Sequence, residues 1–472
     1  MTGERSRENG GDGPGHANAD MTSVAARRVL DTLLDGVEGL HPGLDGRYPL
    51  FRRSGDAWVT SRRGSWTGGL WAGLLWLRAL ERPGSAHVAA ARGASEGLAV
   101  WAEADTATRG LVFWYPLALS RFAVPGGLDP LEEAAGRAAR SLGGRFAREA
   151  GVVPWGDAFG GPGDLVRVDG APGVAPLMCA APGVSESVVA AGAEHLVRHL
   201  RLCWDGSAVV PVRRLGRDRV VRGTAPTRFW SRGRAWLLTA FADAVRLGLV
   251  PPDDPEMGAV LDAGAPLVPP ADTEDAEGPV DTGAAAIEAA ALLRLAHALE
   301  AAPPVHADAS VQRRSLPDLH GTTPRAGSTD TPTDDTAAAP DPDSARHNGT
   351  ERDAGAPTDG PVFGAAPVWE PGTTSSARTR RATGVPAPAP APHVAAVRGT
   401  DTGAGPRAAA ARARAHAIVG ALERDHLGTH GLGRGSYETA DGLVTGIESV
   451  WGNFFLALAA AMVLGTVPAD LV

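Results

Sequence analysis

The chain has 472 residues, a formal net charge of −9 and two cysteines. This length suffices for one large hydrophobic core or two medium ones. The acidic balance without a long basic run argues against a nucleic-acid partner, and Cys179 and Cys203 form neither a disulfide framework nor a metal-binding spacing. We therefore expect two buried thiols, no metal site and no nucleic-acid interface.

The N-terminal residues 1–20 are polar and rich in glycine. They lack the apolar core of a secretory signal, so they are predicted to form a disordered tail of a cytoplasmic protein. The two most apolar stretches, 70–80 and 454–464, are short for a bilayer and contain the small residues typical of packed core helices. No membrane partner is expected.

Helical periodicity dominates the rest of the chain. The predicted helices span residues 22–38, 66–81, 86–103, 111–122, 130–147, 173–181, 184–204, 230–247, 255–267, 282–301, 406–425 and 446–464. Helices joined alternately by short and long connections are typical of an (α/α)6 barrel, a toroid of helical hairpins. Its inner helices contact neighbours on every side, and 282–301, which is apolar all round, has that character. A helical-repeat solenoid is the competing all-α architecture, although no repeat of constant length supports it.

The composition changes completely between residues 302 and 405. This segment consists mainly of Thr, Asp, Pro, Ala, Gly and Ser and contains a Pro-Ala run at 386–392. It cannot bury enough apolar surface to offset its ordering entropy, so it is predicted to be disordered. Because the flanking helices have core patterns, we interpret it as a loop insertion in one barrel domain formed by 21–301 and 406–472.

The stretch 229–236, FWSRGRAW, combines two tryptophans with two arginines at a predicted helix N-terminus. Six helical steps place Trp230 and Trp236 obliquely at the same end of the helix. Arg232 falls in the first turn, where unpaired N–H groups and the helix dipole favour an anion. Aromatic rings beside a guanidinium group suit a sugar that carries a carboxylate, such as a uronic acid. The alternative is that both tryptophans belong to the core and both arginines are solvated.

Other segments also place aromatic or charged residues where predicted helices begin. They contain Trp66 at 64–76, Asp105 and Arg109 at 104–115, Trp155 and Asp169 at 153–170, and Glu448, Trp451 and Asn453 at 447–455. Asp105 and Asp169 could instead be simple helix or turn caps. His195, His199 and His430 have no evident partner in sequence and are interpreted as packing or surface residues.

No zinc spacing, phosphate-binding loop or nucleophile elbow is present in the sequence. Carboxylates, arginines and tryptophans at helix N-termini remain, and these residue types are typical of a carbohydrate site. We therefore expect neither a metal nor an organic cofactor.

Taken together, these segments resemble the unsaturated glucuronyl hydrolases and their rhamnogalacturonyl relatives, the glycoside hydrolase family 88/105 type. The stretch WTGGLWAGLLW, which begins at Trp66, is similar to the family motif W-T-x-G-F-W-x-G-x-L-W, and Trp155 together with the RVD that ends at Asp169 is similar to W-D…V-I-D. The stretch WSRGRAW, which begins at Trp230, is similar to W-x-R-G-Q-A-W. DTGAAAI from Asp281 is similar to D-T-S-A-S-A-I, and WGNFF from Trp451 is similar to W-G-D-Y-F. The motifs occur in the same order as in the family. That family folds as an (α/α)6 barrel, which the resemblance implies for this chain.

The resemblance implies a hydrolase that acts on an unsaturated uronic acid at the non-reducing end of an anionic oligosaccharide. In that family an aspartate at the position of Asp169 protonates the C4=C5 double bond and then activates water. Hydration at C5 gives a hemiketal that collapses and releases the next sugar. The implied site comprises Trp66, Trp155, Trp230 and Trp236 as walls, Arg232 near the substrate carboxylate, and Asp105 as a second carboxylate.

The sequence departs from the family pattern at several positions. The aspartate and histidine of an H-D-x-G-F motif align with Arg109 and Thr108, a Gln is replaced by Arg234, and the Asp of W-G-D-Y-F is replaced by Asn453. Extra positive charge at Arg109 and Arg234 could bind a more anionic substrate, or could mean that catalysis is lost.

These departures keep two other hypotheses open. One is a non-catalytic sugar-binding protein, and the other is a different (α/α)6-barrel carbohydrate enzyme, mannosidase-like or epimerase-like. The sequence indicates neither the aglycone nor a sulfation preference, and a monomer or a homodimer is expected.

Limited proteolysis tests the predicted insertion. A segment without a packed core exposes its backbone to proteases. Cleavage within 302–405 is therefore expected to leave the thermal melting midpoint of the barrel domain unchanged. Resistance of this segment to a protease that cleaves the urea-unfolded chain would contradict the prediction.

Overall fold

A computed structural model of the chain describes residues 14–124, 126, 128–159, 162–216, 221–222, 230–302, 403–439 and 442–472. Nearly all of the predicted insertion 302–405 and residues 1–13 of the predicted tail lie outside the described residues. Residues 14–20 of that tail are helical, which corrects the predicted boundary, and a proline such as Pro14 is well tolerated in a first helical turn. The helix after the insertion begins at Ala404, slightly before the predicted position.

The described residues contain twelve α-helices, and each predicted helix overlaps one of them. They are α1 (Pro14–Leu40), α2 (Gly68–Glu81), α3 (Ser85–Glu96), α4 (Tyr115–Ala123), α5 (Asp129–Gly144), α6 (Val174–Ala180), α7 (Glu186–Leu202), α8 (Arg232–Arg246), α9 (Pro255–Asp262), α10 (Thr282–Ala301), α11 (Ala404–Asp425) and α12 (Val450–Val463). All of them belong to one compact unit.

The even-numbered helices form a closed inner ring. Helices α8, α10, α12, α2 and α4 pack on one another in that order, and a π-helical turn at Gly110–Trp114 extends α4 onto α6. The ring closes where Asp243 of α8 accepts a hydrogen bond of 3.0 Å from the N–H of Gly173, just before α6. The odd-numbered helices lie outside, for example α1 on α12 and α3 on α2. This arrangement is the predicted (α/α)6 barrel.

The inner helices are apolar on every side because they are surrounded by other helices. All residues of α12 from Val450 to Ala461 are buried. Within the described part of the chain, α10 is the one helix long and apolar enough to cross a membrane, and 94% of its apolar window is buried inside the fold. Burial on all sides is the property of a core helix.

Close packing of α2 depends on two glycines of the first family-like motif. A Cβ atom at Gly69 would lie within 3.0 Å of the carbonyl oxygens of Leu111 and Val112 in the π-helical turn. A Cβ atom at Gly73 would collide with the ring of Phe454 in α12. These glycines therefore let three inner helices approach one another closely.

Two small antiparallel sheets accompany the helices. The first has the strand order β2-β1-β7-β6 and the second β3-β4-β5. The strands are β1 (Tyr48–Arg53), β2 (Val59–Ser61), β3 (Leu165–Arg167), β4 (Val212–Leu215), β5 (Val221–Arg222), β6 (Gly435–Thr439) and β7 (Gly442–Ser449). Strand β1 pairs with the end of β7, and Phe51 lies opposite Ser449. An N-terminal and a C-terminal segment of the barrel domain therefore meet beside α12.

Several predicted helix boundaries and one cysteine prediction are corrected. Residues 446–449 are strand, because Gly446 has a φ of 70° and the alternating pattern before α12 continues until Ser449 caps that helix. Helix α9 stops at Asp262, before Gly264 and Pro266, which are the two residue types least favourable in a helix. Both thiols are free, but only Cys203 is buried, while Cys179 is half-buried.

The buried ion pair between Asp243 and Arg294 is expected to make folding stability sensitive to the loss of either partner. Both side chains are almost fully buried, and Asp243 also binds the Gly173 N–H. Replacing Asp243 by Ala leaves a buried guanidinium group without its partner, so Asp243→Ala should lower the free energy of unfolding by about 3–5 kcal/mol. Chemical denaturation followed by circular dichroism measures this change.

The matched control is Glu133→Ala, which removes an exposed carboxylate from its helical pair with Arg137. Exposed pairs contribute less than about 1 kcal/mol, so this variant should unfold almost like the parent. Equal destabilisation by the two substitutions would contradict the prediction.

Candidate active site

A small cavity lies at the end of the barrel where the inner helices begin. Its lining residues are Trp66, Thr108, Leu111, Trp155, Arg167, Asp169, Trp230, Arg232, Trp236 and Tyr437. We call it the barrel-mouth pocket. It encloses about 30 Å³, roughly the volume of one water molecule, so a sugar ring can bind only when side chains at its rim move.

The N-termini of the inner helices converge on this pocket. Trp66 precedes α2, Thr108 precedes the π-helical turn of α4, and Asp169 precedes α6. Arg232 is the first residue of α8, and Asp281 caps α10. Tyr437 lies on β6, which is connected through β7 to α12. Unpaired N–H groups and helix dipoles give such ends a partial positive charge. The barrel-mouth pocket therefore favours a ligand with negative charge.

Asp169 forms a bidentate ion pair with Arg167. The Arg167 Nε and Nη2 atoms each donate to one oxygen of Asp169, both at 3.0 Å. Arg167 ends strand β3 and Asp169 lies in the 3-10 turn that follows it. The guanidinium carbon of Arg167 is 4.3 Å from the centre of the Trp155 ring, so a cation–π contact fixes the plane of the guanidinium group.

Arg232 is held by a second, more deeply buried ion pair. Its Nη1 atom donates to Asp281 at 2.6 Å and to the Ser436 carbonyl at 2.5 Å. The guanidinium carbon lies 5.4 Å from the Trp230 ring and 5.7 Å from the Trp451 ring. Arg232 thus ties α8, α10 and strand β6 together at the floor of the pocket.

Aromatic rings make up most of the remaining wall. Trp451 packs against Trp66 and Tyr437 with ring centres 5.5 and 5.2 Å apart, and its indole Nε1 is buried without a hydrogen-bond partner. Trp236 meets Phe455 edge to face at 5.5 Å. Burial raises the pKa of Tyr437, and a hydrogen bond with Trp66 and the charges of the two arginines partly offset this shift, so its phenol stays neutral and can donate a hydrogen bond.

Six of the predicted site residues come together in the barrel-mouth pocket, namely Trp66, Trp155, Asp169, Trp230, Arg232 and Trp236. Asp105 does not. It pairs with Arg145 at 2.6 Å and lines a separate open cavity of about 890 Å³ together with Asp157 and Asp164. The hypothesis of Asp105 as a second carboxylate beside Asp169 is therefore corrected.

The two additional arginines also point away from the pocket. Arg109 is fully buried and donates to the carbonyls of Thr106 and Ala102, and burial lowers its pKa to about 10. Arg234 pairs with Glu288 at 2.6 Å. Two helical residues correspond to a rotation of about 200°, so Arg234 must face away from the side that Arg232 occupies. Neither arginine lines the barrel-mouth pocket, which corrects both predicted binding roles.

Asn453 also serves packing. Its amide oxygen accepts from the Leu432 N–H at 2.8 Å, and its amide nitrogen donates to Glu448 at 2.9 Å. Glu448 in turn pairs with Arg52 on β1. The Asp-to-Asn departure in the last motif thus lies in a network that joins α12 to the first sheet.

Sequence reasoning missed Thr108 and Leu111 as lining residues, Arg167 as the partner of Asp169, and Tyr437. Arg167 and Asp169 are two residues apart at a strand end, and a period of two is a signal that their side chains could share one face. For Tyr437 the signal is weaker, because the helix predicted for 446–464 overlaps the end of the β6–β7 hairpin.

Two buried histidines of α7 support the turn that carries Asp169. His195 Nδ1 accepts from the Val153 N–H at 2.9 Å, so its proton is on Nε2, which lies 3.3 Å from the Gly170 carbonyl. His199 Nε2 lies 3.1 Å from the Arg167 carbonyl. The sequence predicts packing or surface residues at both positions, and the structure shows packing residues that each contact a backbone carbonyl.

The histidine pair predicts acid-sensitive stability. Burial lowers the pKa of His199 from 6.5 to about 4 and that of His195 well below its usual value. The unfolded chain binds a proton at each site below about pH 6.5, whereas the folded chain does not. The free energy of unfolding should therefore fall between about pH 6.5 and 4, by about 3 kcal/mol for His199 alone.

Urea unfolding at a series of pH values measures this slope. His199→Gln should flatten it, and His297→Gln, which removes an imidazole that is 43% exposed, serves as the control. A His199→Gln slope equal to that of the parent would show that this imidazole is not the group that titrates.

Comparison with known proteins adds a structural match. No protein-family model and no curated protein matches the chain. Among solved structures, the unsaturated glucuronyl hydrolase from Bacillus sp. GL1, described as responsible for the degradation of glycosaminoglycan, aligns with a TM-score of 0.61 at 15% identity over 93% of this chain and 96% of that chain.

Two further structures agree. A UGL variant recorded with dGlcA-Glc-Rha-Glc has a TM-score of 0.62 at 15% identity, over 92% of this chain and 96% of that chain. The unsaturated glucuronyl hydrolase from Streptococcus agalactiae has a TM-score of 0.59 at 13% identity, over 98% and 96%. The resemblance predicted from the sequence motifs is thus confirmed at the level of the fold: the chain has the fold of the unsaturated glucuronyl hydrolases.

Proposed function

We propose that this protein is a glycoside hydrolase that removes an unsaturated uronic acid from the non-reducing end of an anionic oligosaccharide. The observation that carries this proposal is the presence of Asp169 in an aromatic pocket with Arg167 and Arg232, at the converging N-termini of the inner helices. The solved structures that share the fold are named for this activity, and one is recorded with a sugar of this class.

The proposed reaction adds water across the C4=C5 double bond of the sugar. Asp169 donates its proton to C4, water adds to C5, and the second proton of that water returns to Asp169. The product is a hemiketal at C5, which opens and releases the next sugar. One carboxyl group thus acts first as an acid and then as a base.

The number of carboxylates in the pocket supports hydration over direct glycoside cleavage. Among the described residues, Asp169 is the one carboxylate that lines the barrel-mouth pocket. Displacement at the anomeric carbon ordinarily uses two carboxyl groups about 5 to 9 Å apart. A pocket with a single carboxylate therefore fits the hydration mechanism better than a mannosidase-like one.

The remaining lining groups suit an acidic sugar. Arg167 and Arg232 provide positive charge, the tryptophan rings provide flat apolar surfaces for the sugar faces, and the neutral phenol of Tyr437 can donate to a hydroxyl group. No metal or organic cofactor enters this proposal. A cytoplasmic location and a monomeric or homodimeric state are further parts of it.

A non-catalytic sugar-binding protein is the second candidate. It is favoured by the small cavity and by Thr108 and Arg109, which stand where the family has histidine and aspartate. In that case the protein would bind an unsaturated uronate without consuming it.

Absorbance of the conjugated C=C–COOH group separates the two candidates. Adding the protein to a panel of unsaturated disaccharides should cause the absorbance to decay, and Asp169→Asn should slow the decay at least about 100-fold, as expected for loss of a general acid and base. Asp105→Asn is the matched control, because it alters a carboxylate outside the pocket, and it should decay at the parental rate.

No decay with any disaccharide, although binding is detected, would favour the sugar-binding candidate. Equal rates for Asp169→Asn and the parent would reject Asp169 as the acid and base.

A further inference from the structure

The ion pair between Asp169 and Arg167 poses a chemical problem for the proposed reaction, on which this inference rests. Both oxygens of Asp169 accept hydrogen bonds from Arg167. A proton on either oxygen would remove the negative charge that Arg167 binds and so would weaken both bonds. Asp169 must therefore leave Arg167, at least in part, before it can donate a proton to a sugar.

The backbone on both sides of the pair is fixed, so only side chains can rearrange. His199 holds the carbonyl of Arg167, and His195 holds the carbonyl of Gly170. The Arg167 guanidinium group is also fixed, with the Trp155 ring at 4.3 Å and the Trp230 ring at 5.8 Å. The Asp169 carboxylate lacks such an aromatic support, and it is the partner that can turn away.

The two ion pairs of the pocket differ in how easily they can exchange a partner. Asp281, the partner of Arg232, is 1% exposed, and a charge buried to that extent cannot lose its partner without a large desolvation cost. Asp169 is 15% exposed and faces the pocket, where a sugar could solvate it. Arg167 is thus the arginine whose carboxylate can be exchanged.

A uronate carboxylate has the same planar, two-oxygen geometry as the side chain of Asp169. It can accept the same pair of parallel N–H bonds from a guanidinium group. We propose that Arg167 is the residue that binds the substrate carboxylate, and that Asp169 holds this position until the uronate displaces it.

The exchange would couple recognition to catalysis. The uronate takes both hydrogen bonds of Arg167. The released Asp169 is protonated by exchange with the solvent, delivers that proton to C4 and regains one from the water that adds to C5. A neutral sugar cannot displace Asp169 and would leave it paired. Arg167 is therefore a specificity-determining residue, whereas Arg232 retains its structural pair with Asp281.

Removal of the competing carboxylate tests the exchange without relying on turnover. Methyl β-D-glucuronide carries the carboxylate but no double bond, and methyl β-D-glucoside is its neutral counterpart. Asp169→Asn should bind the glucuronide about tenfold more tightly than the parent, because its amide no longer competes as an anion for Arg167. Its affinity for the glucoside should not change. Isothermal titration calorimetry measures both dissociation constants.

Two further variants complete the design. Arg167→Gln should lose the preference for glucuronide over glucoside, and Asp105→Asn should bind both sugars as the parent does. If Arg167→Gln does not fold, the Asp169→Asn comparison decides alone, since Arg167 is intact in that variant. An unchanged glucuronide affinity in Asp169→Asn, or equal shifts for both sugars, would overturn the exchange.

Turnover of unsaturated disaccharides separates this inference from the proposed function. Turnover by the parent without tighter glucuronide binding in Asp169→Asn would reject only the exchange. Tighter binding without turnover by the parent would support the exchange as a binding property and reject the hydrolase activity.

Discussion

A closed ring of inner helices brings their N-terminal ends to one mouth of the barrel, and the rest of the site depends on this convergence. Each of these ends carries N–H groups without partners in its own helix and the positive end of a helix dipole. The chain places polar and acidic groups there: Asp281 caps α10, Ser449 caps α12, and Asp169 lies just before α6. The carboxylates of Asp169 and Asp281 in turn compensate the charges of Arg167 and Arg232. Without them, these arginines would be buried beside positive helix ends that repel them.

The aromatic rings strengthen the electrostatic attraction between these arginines and their carboxylate partners. Trp155, Trp230 and Trp451 lie beside the two guanidinium groups and keep water away from them. Electrostatic interactions are stronger where water is excluded. Each change of ion-pair partner among these groups therefore has a large effect on the free energy of folding or of ligand binding. The ion pair between Arg232 and Asp281 connects α8 with α10. The ion pair between Arg167 and Asp169, which are less buried than Asp281, lies at the surface of the cavity.

The helices could be predicted from the sequence because their apolar residues follow helical periodicity, and six lining residues of the site could be predicted from their positions near helix N-termini and from the resemblance to the family motifs. Trp236 is four residues after Arg232 and shares its face, and the same rule excludes Arg234, two residues after Arg232. Arg109 could not be placed in this way, because a π-helical turn at Gly110–Trp114 changes the helical phase just after it. Arg167 and Tyr437 lie on short strands whose pairing depends on residues far away in the chain, and one sequence carries little information on such pairing.

The departures from the family motifs acquire a different meaning once their contacts are known. Arg109 satisfies backbone carbonyls, Arg234 pairs with Glu288, and Asn453 joins α12 to the first sheet, so none of them lines the barrel-mouth pocket. Their side chains therefore give no evidence for a more anionic substrate. In the proposed reaction the chemistry rests on Asp169, and hydration of a double bond is a reaction that one carboxyl group can perform, because it gives a proton and later takes one back. With Arg167 as its resting partner, that carboxyl group would be released by the negative charge of the substrate itself.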